Sequence, residues 1–425
     1  MSDIFEELST EIKKIELAID VDSYKIEDIH IWPIYRLGYY ISQKKKRNNH
    51  TKPSLKARVL NKLNKVIINF FTFKKEFNFK TSLVYLGANT QRMKFKDGIY
   101  RNKFFHKMAS PINHIIEYDN KILNLDRSTN LLEAFLSKPL VKSNLDLSIL
   151  QKLSAEVENN NEGKFSSKEV ELFVIKVLNY YLRILPSLKK SNIKTVYVCS
   201  YYSAPALGFV IASNKLGIRT IEVQHGPIGK NHLAYSGWNN YSENINYLAI
   251  PDEIHLWHKN FSNHVSNIFN LKKVTGNYYI NSIDSKRMKK NKFVFLFTLQ
   301  PMDSVLPEIY FSIIRKYHSL YKIIIRTHPK QNFNSDFLST KKLLENNYNV
   351  EYNLAINVPL HETLSVTKIH FTGFSGTFFE AFEMNIPTLF FNPLALNFFE
   401  EFIEREQYCG NLEFEQIDKI IKKHL

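Results

Sequence analysis

The sequence predicts an α/β fold of two Rossmann-like domains in series, facing a central cleft, behind a helical N-terminal extension. Three observations carry that expectation. Short apolar, β-rich runs alternate with helix-like stretches, and the alternation occurs twice, as in a parallel, doubly wound sheet. At 425 residues the chain is too long for one small core and suits two domains. Late in the chain, "KIHFTGFSGTFFEAFEMNIPTLFFN" sets the turn "GFSGT" between a strand-like and a helix-like run.

Residues 1–78 read as mainly helical and basic. Within them "DIHIWPIYRLGYYI" is aromatic enough to dock on the next domain, and Pro33 limits the first helix. The segment from Lys52 to Lys75 interleaves lysines and Arg58 with Leu55, Val59, Leu63, Val66, Ile67 and Phe70 at helical spacing. It reads either as a helix lying on an anionic membrane surface or as a helix packed on the protein with its lysines in water.

Residues 79–275 form the first Rossmann-like domain. Strands are expected at 81–87 and 114–118, helices between 128 and 190, then strand "KTVYVCS", helix "APALGFVIASNKLG" and strand "RTIEVQHG". The polar run "EVENNNEGKFSSKE" reads as a surface insertion, and "VTGNYYINSIDSKRMKKNK" as an interdomain linker. Residues 276–400 form the second Rossmann-like domain, running from "FVFLFTLQ" through "EIYFSIIRKYH", "KIIIRTHP" and "FLSTKKLLENN" to the late turn. Residues 401–425 read as C-terminal helices.

Composition narrows the function classes. A 44% hydrophobic fraction with 14% aromatic residues supports large cores and speaks against a disordered chain. Cys199 and Cys409 lie far apart, with neither disulfide-framework nor metal-ligand spacing, which fits a reducing cytosol. The charged N-terminus reads as no signal peptide, and no apolar run is long enough to span a bilayer; a cytoplasmic placement, with or without peripheral contact at the inner membrane face, is expected. The formal net charge of +16 calls for an acidic partner. Nucleic acid is not expected, because the lysines are dispersed rather than gathered into an aromatic-basic module.

Candidate chemistry sits at predicted strand ends. In the late turn, Gly373 and Gly376 let a ligand approach the backbone, Ser375 and Thr377 add hydroxyl donors, and the first helical turn favours an anion such as phosphate. Glu380, one turn deeper, is placed to accept from a ribose diol. The alternative is a helix capped by Ser375 with Glu380 in solvent. In "VQHGPIG", His225 suits proton transfer from a sugar hydroxyl, or else caps the following turn. In "IIIRTHPKQ", Arg326, His328 and Lys330 offer cations to a leaving nucleotide, or form a basic surface loop. Thr298 and Gln300 in "LFTLQP" meet the first loop of the second domain, and Asn89 and Arg92 lie in the corresponding loop of the first.

Taken together, "VQHGPIG", "VTGNYY", "FTLQP", "RTHPKQ" and "GFSGTFFEAFEMNIPTLFF" resemble bacterial surface-polysaccharide glycosyltransferases of the GT-B fold over roughly residues 80 to 400. They are also similar to CDP-glycerol glycerophosphotransferases and, more distantly, to bacterial sialyl- and Kdo-transferases. The resemblance implies catalysis by His225 and a nucleotide donor held by His328, Ser375, Thr377 and Glu380. It implies transfer from a nucleotide sugar to a lipid-linked glycan of a capsule, O-antigen or lipooligosaccharide, with neither metal nor other cofactor. A polyol-phosphate transferase and a sugar-nucleotide 2-epimerase are the alternatives within this architecture. For the basic segment, flotation with anionic vesicles at low salt, release at high salt and loss of binding when Lys56, Arg58, Lys62 and Lys65 become glutamine are expected. Each cation near the surface contributes about 1 kcal/mol.

Overall fold

A computed structural model describes residues 2–47, 82–88, 92–94, 100–102, 104–105, 114–118, 145–160, 167–238, 242, 244–281, 292–300, 306–328, 331, 334–348, 350–354, 358–404 and 407–425. The Lys52–Lys75 segment, Asn89 and Lys330 lie outside them. The chain divides into two compact units. One comprises Met1–Arg92 and Asn102–Thr275, the other Met93–Arg101 and Gly276–Leu425. Among the described residues no helix is long and apolar enough to cross a membrane.

The first unit opens with helix α1 (Ser2–Ala18), a hairpin of β1 (Lys25–Ile26) and β2 (Ile29–His30), and helix α2 (Ile31–Arg47). Pro33 stands in the first turn of α2, where a missing N–H costs nothing, so it starts the second helix instead of limiting the first. Trp32, Tyr35, Tyr39 and Tyr40 are buried, as the docking reading of this stretch requires. These helices are built into the unit and do not form an appendage. Arg36 is fully buried, pairs with Glu16 at 2.6 Å, and donates to the carbonyls of Leu233, Ser236 and Gly237. Its guanidinium also lies 4.1 Å from the centre of the Trp238 ring. Burial pulls the Arg36 pKa down and the Glu16 charge opposes the shift.

The sheet of this unit comprises β3 (Leu83–Ala88), β6 (His114–Tyr118), β7 (Thr195–Val198), β8 (Arg219–Val223), β9 (Glu253–Leu256) and β10 (Leu271–Val274), in the order β10-β9-β8-β7-β3-β6. Every pairing is parallel. The chain builds outward from β3 to β6, then returns to β7 on the other side, so the topological switch point lies between β3 and β7. Between β3 and β6 lie β4 (Arg92–Lys94) and β5 (Tyr100–Asn102), which form a separate two-stranded sheet. Helices α3 (Ser148–Asn160) and α4 (Lys168–Lys189) take up both ends of the stretch read as a surface insertion, because Val157 joins the apolar stripe of α3 and Val170 that of α4. Helix α5 (Ala204–Lys215) is apolar on most sides because it is buried on most sides. Gly208 lets it sit directly against α4.

The larger segment of the second unit begins inside the predicted linker. After the short helix α6 (Phe261–His264) of the first unit comes α7 (Tyr278–Asn281), with Tyr279 and Ile280 buried. It is followed by β11 (Val294–Thr298), α8 (Glu308–Tyr317), β12 (Lys322–Thr327), α9 (Ser335–Tyr348), β13 (Glu351–Leu354), α10 (Leu360–Leu364), β14 (Thr367–Thr372), α11 (Thr377–Glu383), β15 (Thr388–Phe390), α12 (Leu394–Phe399) and α13 (Phe414–Lys423). The sheet is again all parallel, in the order β13-β12-β11-β14-β15, with its switch point between β11 and β14. Sheets covered on both faces need continuous apolar strands, and "VFLFT" is buried throughout. Phe297 stacks on Phe371 of the neighbouring strand at 4.6 Å. The C-terminal helix α13 belongs to this unit's core through Ile417 and Ile421.

The α4–α5 contact gives a direct test. A Cβ on Gly208 would fall 2.4 Å from the Tyr180 Cβ and 2.8 Å from the Tyr181 amide nitrogen, atoms that cannot swing aside. Gly208→Ala should therefore destabilise the first unit by about 1–3 kcal/mol in urea unfolding, despite the better helix propensity of alanine.

Candidate functional site

Both sheets gather polar side chains at their carboxyl edges, where loops diverge at a switch point and leave room for a ligand. In the second unit, Thr298 ends β11 and lies in register with Arg326 of β12 on one side and Thr372 of β14 on the other. Thr298 Oγ1 is 3.0 Å from Thr372 Oγ1, 3.2 Å from Thr377 Oγ1 and 2.8 Å from Nε2 of His370. Thr372 also donates to the Thr298 carbonyl and accepts from the Ser375 amide at 3.3 Å. Ser375 Oγ in turn accepts from the Thr377 amide at 3.3 Å. The turn "GFSGT" is thus tied to the switch point by a chain of hydroxyls. Among the described residues, the Gly376 N–H and the Ser375 O–H have no acceptor in the chain. A Cβ on Gly373 would make only ordinary contact, at 3.6 Å from Asn392.

The capping alternative for this turn holds only in part. Ser375 stands one residue before the N-cap, Gly376, and its hydroxyl reaches a single amide. Helix α11 has just seven residues, so its dipole adds little to what the hydroxyls and free amide of the turn offer as donors. Glu380 is not on a solvated face. It is 6% exposed, and its charge acts on Arg326 and Tyr279. Burial lowers the Arg326 pKa to about 10, opposed first by Glu380 and then by Tyr279. Burial followed by Glu380 raises that of Tyr279, whose hydroxyl bonds Nδ1 of His361. Arg326 is therefore a buried strand-end cation and does not belong to a basic surface loop. Gln300 and His328 follow β11 and β12 at the same edge; Gln300 is buried, and the His328 carbonyl accepts from the Gln331 amide at 2.9 Å.

In the first unit, His225 follows β8 and does not cap the next turn. That duty falls to Gln224, which donates to the Gly226 carbonyl and accepts from the Trp257 amide. His225 Nε2 lies 2.9 Å from Ser200 Oγ and 3.1 Å from the Tyr202 hydroxyl, and Nδ1 faces Glu222 Oε1 at 3.5 Å. Glu222, inside β8, is fully buried and accepts from the amides of Ser200 and Tyr201 and from the Tyr235 hydroxyl at 2.6 Å. A Cβ at Gly226 would meet no atom within 4 Å, so the approach to His225 is open on that side.

Glu222, Ser200, Tyr202, Thr372, His370 and Tyr279 were not singled out by sequence reasoning. The available signal was a Glu within "RTIEV" and a His within "KIHFT", ionisable residues inside strands that are otherwise apolar. His225 belongs to one unit, and Gln300, His328, Ser375, Gly376, Thr377 and Glu380 to the other. Among the described residues no group of three or more His, Cys, Asp or Glu is placed to hold a metal. The Asp-x-Asp spacing occurs once, at Asp20-Val21-Asp22, where Asp22 accepts from the Tyr247 hydroxyl.

No protein-family model and no curated protein matches the chain. Among solved structures it is similar to the UDP-GlcNAc 2-epimerase of Methanocaldococcus jannaschii, at 15% identity and a TM-score of 0.45 over 80% of this chain and 92% of that one. It is similar to the same degree, 15% and 0.45, to the UDP-GlcNAc 2-epimerase of Neisseria meningitidis bound to UDP-GlcNAc, over 80% of this chain and 90% of that one. A glycotransferase of kitacinnamycin aligns at 9% identity and 0.39, over 74% and 81%. Each of the two units carries its own all-parallel, doubly wound sheet.

His370 supplies a test of the hydroxyl network. Burial holds its pKa down, from 6.5 to about 3. Between those values the unfolded chain binds the extra proton and the folded chain does not, so stability falls as pH drops, by at most about 1.4 kcal/mol per unit. His370→Gln should remove that contribution. The stability gap between wild type and variant in urea unfolding should therefore shrink from pH 7 to pH 4.

Proposed function

We propose that this chain is a glycosyltransferase that moves a sugar from a nucleotide-sugar donor to a growing, lipid-linked bacterial surface polysaccharide, without a metal. The observation that carries the reading is the burial of two opposite charges, Glu380 and Arg326, at the switch-point edge of the second unit. A carboxylate and a guanidinium are costly to desolvate, and perturbed groups of this kind concentrate where ligands bind. In this reading the Ser375 hydroxyl and the Gly376 amide bind donor phosphate oxygens, with Thr377 holding the turn. Glu380 accepts from the ribose diol, and His328, Lys330 and Gln300 complete the nucleotide contacts. Arg326 stabilises charge on the departing phosphate.

His225 in the first unit takes the proton of the attacking hydroxyl. A 2-epimerase would instead need several acid and base carboxylates in that unit. The described residues place one beside His225, Glu222, and its oxygens are already engaged by three donors.

Two substitutions separate the roles. Glu380→Gln should weaken nucleotide binding at least tenfold in calorimetry while His225→Ala leaves it unchanged. His225→Ala should lower turnover about 10²- to 10⁴-fold with nucleotide-sugar donors, tested on glycolipid acceptors. Mass spectrometry of nucleotides retained by the purified protein identifies the base. Unchanged affinity in the Glu380 variant together with normal turnover in the His225 variant would overturn the reading.

A further inference from the structure

The buried Glu222 side chain has only one chemistry open to it. A carboxylate accepts and cannot donate. Its Oε1 already accepts from the Ser200 amide at 3.2 Å and the Tyr235 hydroxyl at 2.6 Å, and its Oε2 from the Tyr201 amide at 3.1 Å. Burial and the Glu222 charge keep the Tyr201 and Tyr235 phenols protonated. The remaining neighbour is His225 Nδ1, 3.5 Å from Oε1. A lone pair pointed at this carboxylate would be repelled, whereas an N–H is attracted, so Nδ1 carries the proton. In the neutral ring Nε2 is then the acceptor. Ser200 and Tyr202 hydroxyls both reach it, at 2.9 and 3.1 Å, and share its single lone pair.

The local backbone is shaped to this arrangement. Ser200 has φ +67°, a left-handed conformation that a non-glycine residue holds only where its surroundings impose it. Here they do. The twist turns the successive amides of Ser200 and Tyr201 onto Glu222 and carries the Ser200 hydroxyl to His225.

We propose that Glu222 is the positioning residue that fixes the His225 proton on Nδ1, and that the Ser200 and Tyr202 hydroxyls mark, at Nε2, the seat of the hydroxyl to be deprotonated. The role of that seat rests on the transferase reading; the tautomer does not. In the step it serves, the acceptor O–H bond breaks and its proton passes to Nε2. The oxygen bonds the anomeric carbon, and the bond from that carbon to the donor phosphate breaks with its electron pair leaving on the phosphate. The imidazolium formed then has N–H groups on both sides, and Glu222 stabilises it.

The test is the long-range proton–nitrogen spectrum of the full-length protein labelled with ¹⁵N-histidine, at alkaline pH where the ring is neutral, with His225→Gln assigning the signals. A protonated Nδ1 and a lone-pair Nε2 are expected in the wild type and in Glu222→Asp. In Glu222→Ala, Nδ1 loses the carboxylate it faces, so the proton should no longer be confined to Nδ1, and turnover should fall at least tenfold with nucleotide affinity unchanged. An Nε2–H wild type, or a Glu222→Ala protein with the proton still confined to Nδ1, overturns the proposal. The wild-type spectrum decides the tautomer even if Glu222→Ala fails to fold. The expected spectrum combined with normal turnover in His225→Ala would overturn the transferase reading and leave the tautomer assignment standing.

Discussion

A polar group taken out of water must find a partner inside the protein, and each sheet meets that demand at its carboxyl edge. In the first unit the demand comes from Glu222, whose charge draws in two amides, a phenol and an imidazole. In the second it comes from Thr298, Thr372 and His370, which lie across the central strands and satisfy one another. The surrounding strands are apolar enough to form the cores without these groups. What the groups fix is the conformation of the turn after β7 and of the turn after β14.

The same requirement explains how the N-terminal helices belong to the first unit. Arg36, with five N–H donors and no exposure, would be untenable in an apolar helix contact. Glu16 balances its charge and takes one N–H, and the carbonyls of Leu233, Ser236 and Gly237 take up three more. Those carbonyls belong to the loop that carries Tyr235, the phenol bound to Glu222. A helix from the first 47 residues and a strand near residue 222 are thereby held in one polar network. Removing either charge of the Arg36–Glu16 pair would leave the other stranded.

The two edges differ in what they can do. That of the second unit is rich in hydroxyls, with a free amide and a buried carboxylate, Glu380, whose charge acts on the buried Arg326 guanidinium, and these are the groups that the proposed donor site uses. That of the first has a histidine bracketed by hydroxyls on one nitrogen and a carboxylate on the other, a chemistry suited to moving a proton.

The sequence by itself determined the two parallel sheets, because fully buried strands must be continuous apolar runs and "VFLFT", "KIIIRT" and "RTIEV" announce themselves that way. It also determined the turn "GFSGT" and the strand-end position of His225, since small residues and punctuating glycines are local signals. Only the tertiary structure decided that Glu380 is buried, that Pro33 stands in the first turn of a helix, and that Tyr279 is a buried residue of the second unit. Glu222 could not be read as the partner of His225, because that pairing depends on which neighbours close around the strand. Burial and pairing depend on residues far apart in the chain: Glu222 meets Ser200 and Tyr235, and Thr298 meets His370 and Thr372. Periodicity along a segment carries no information about which distant segment will cover it.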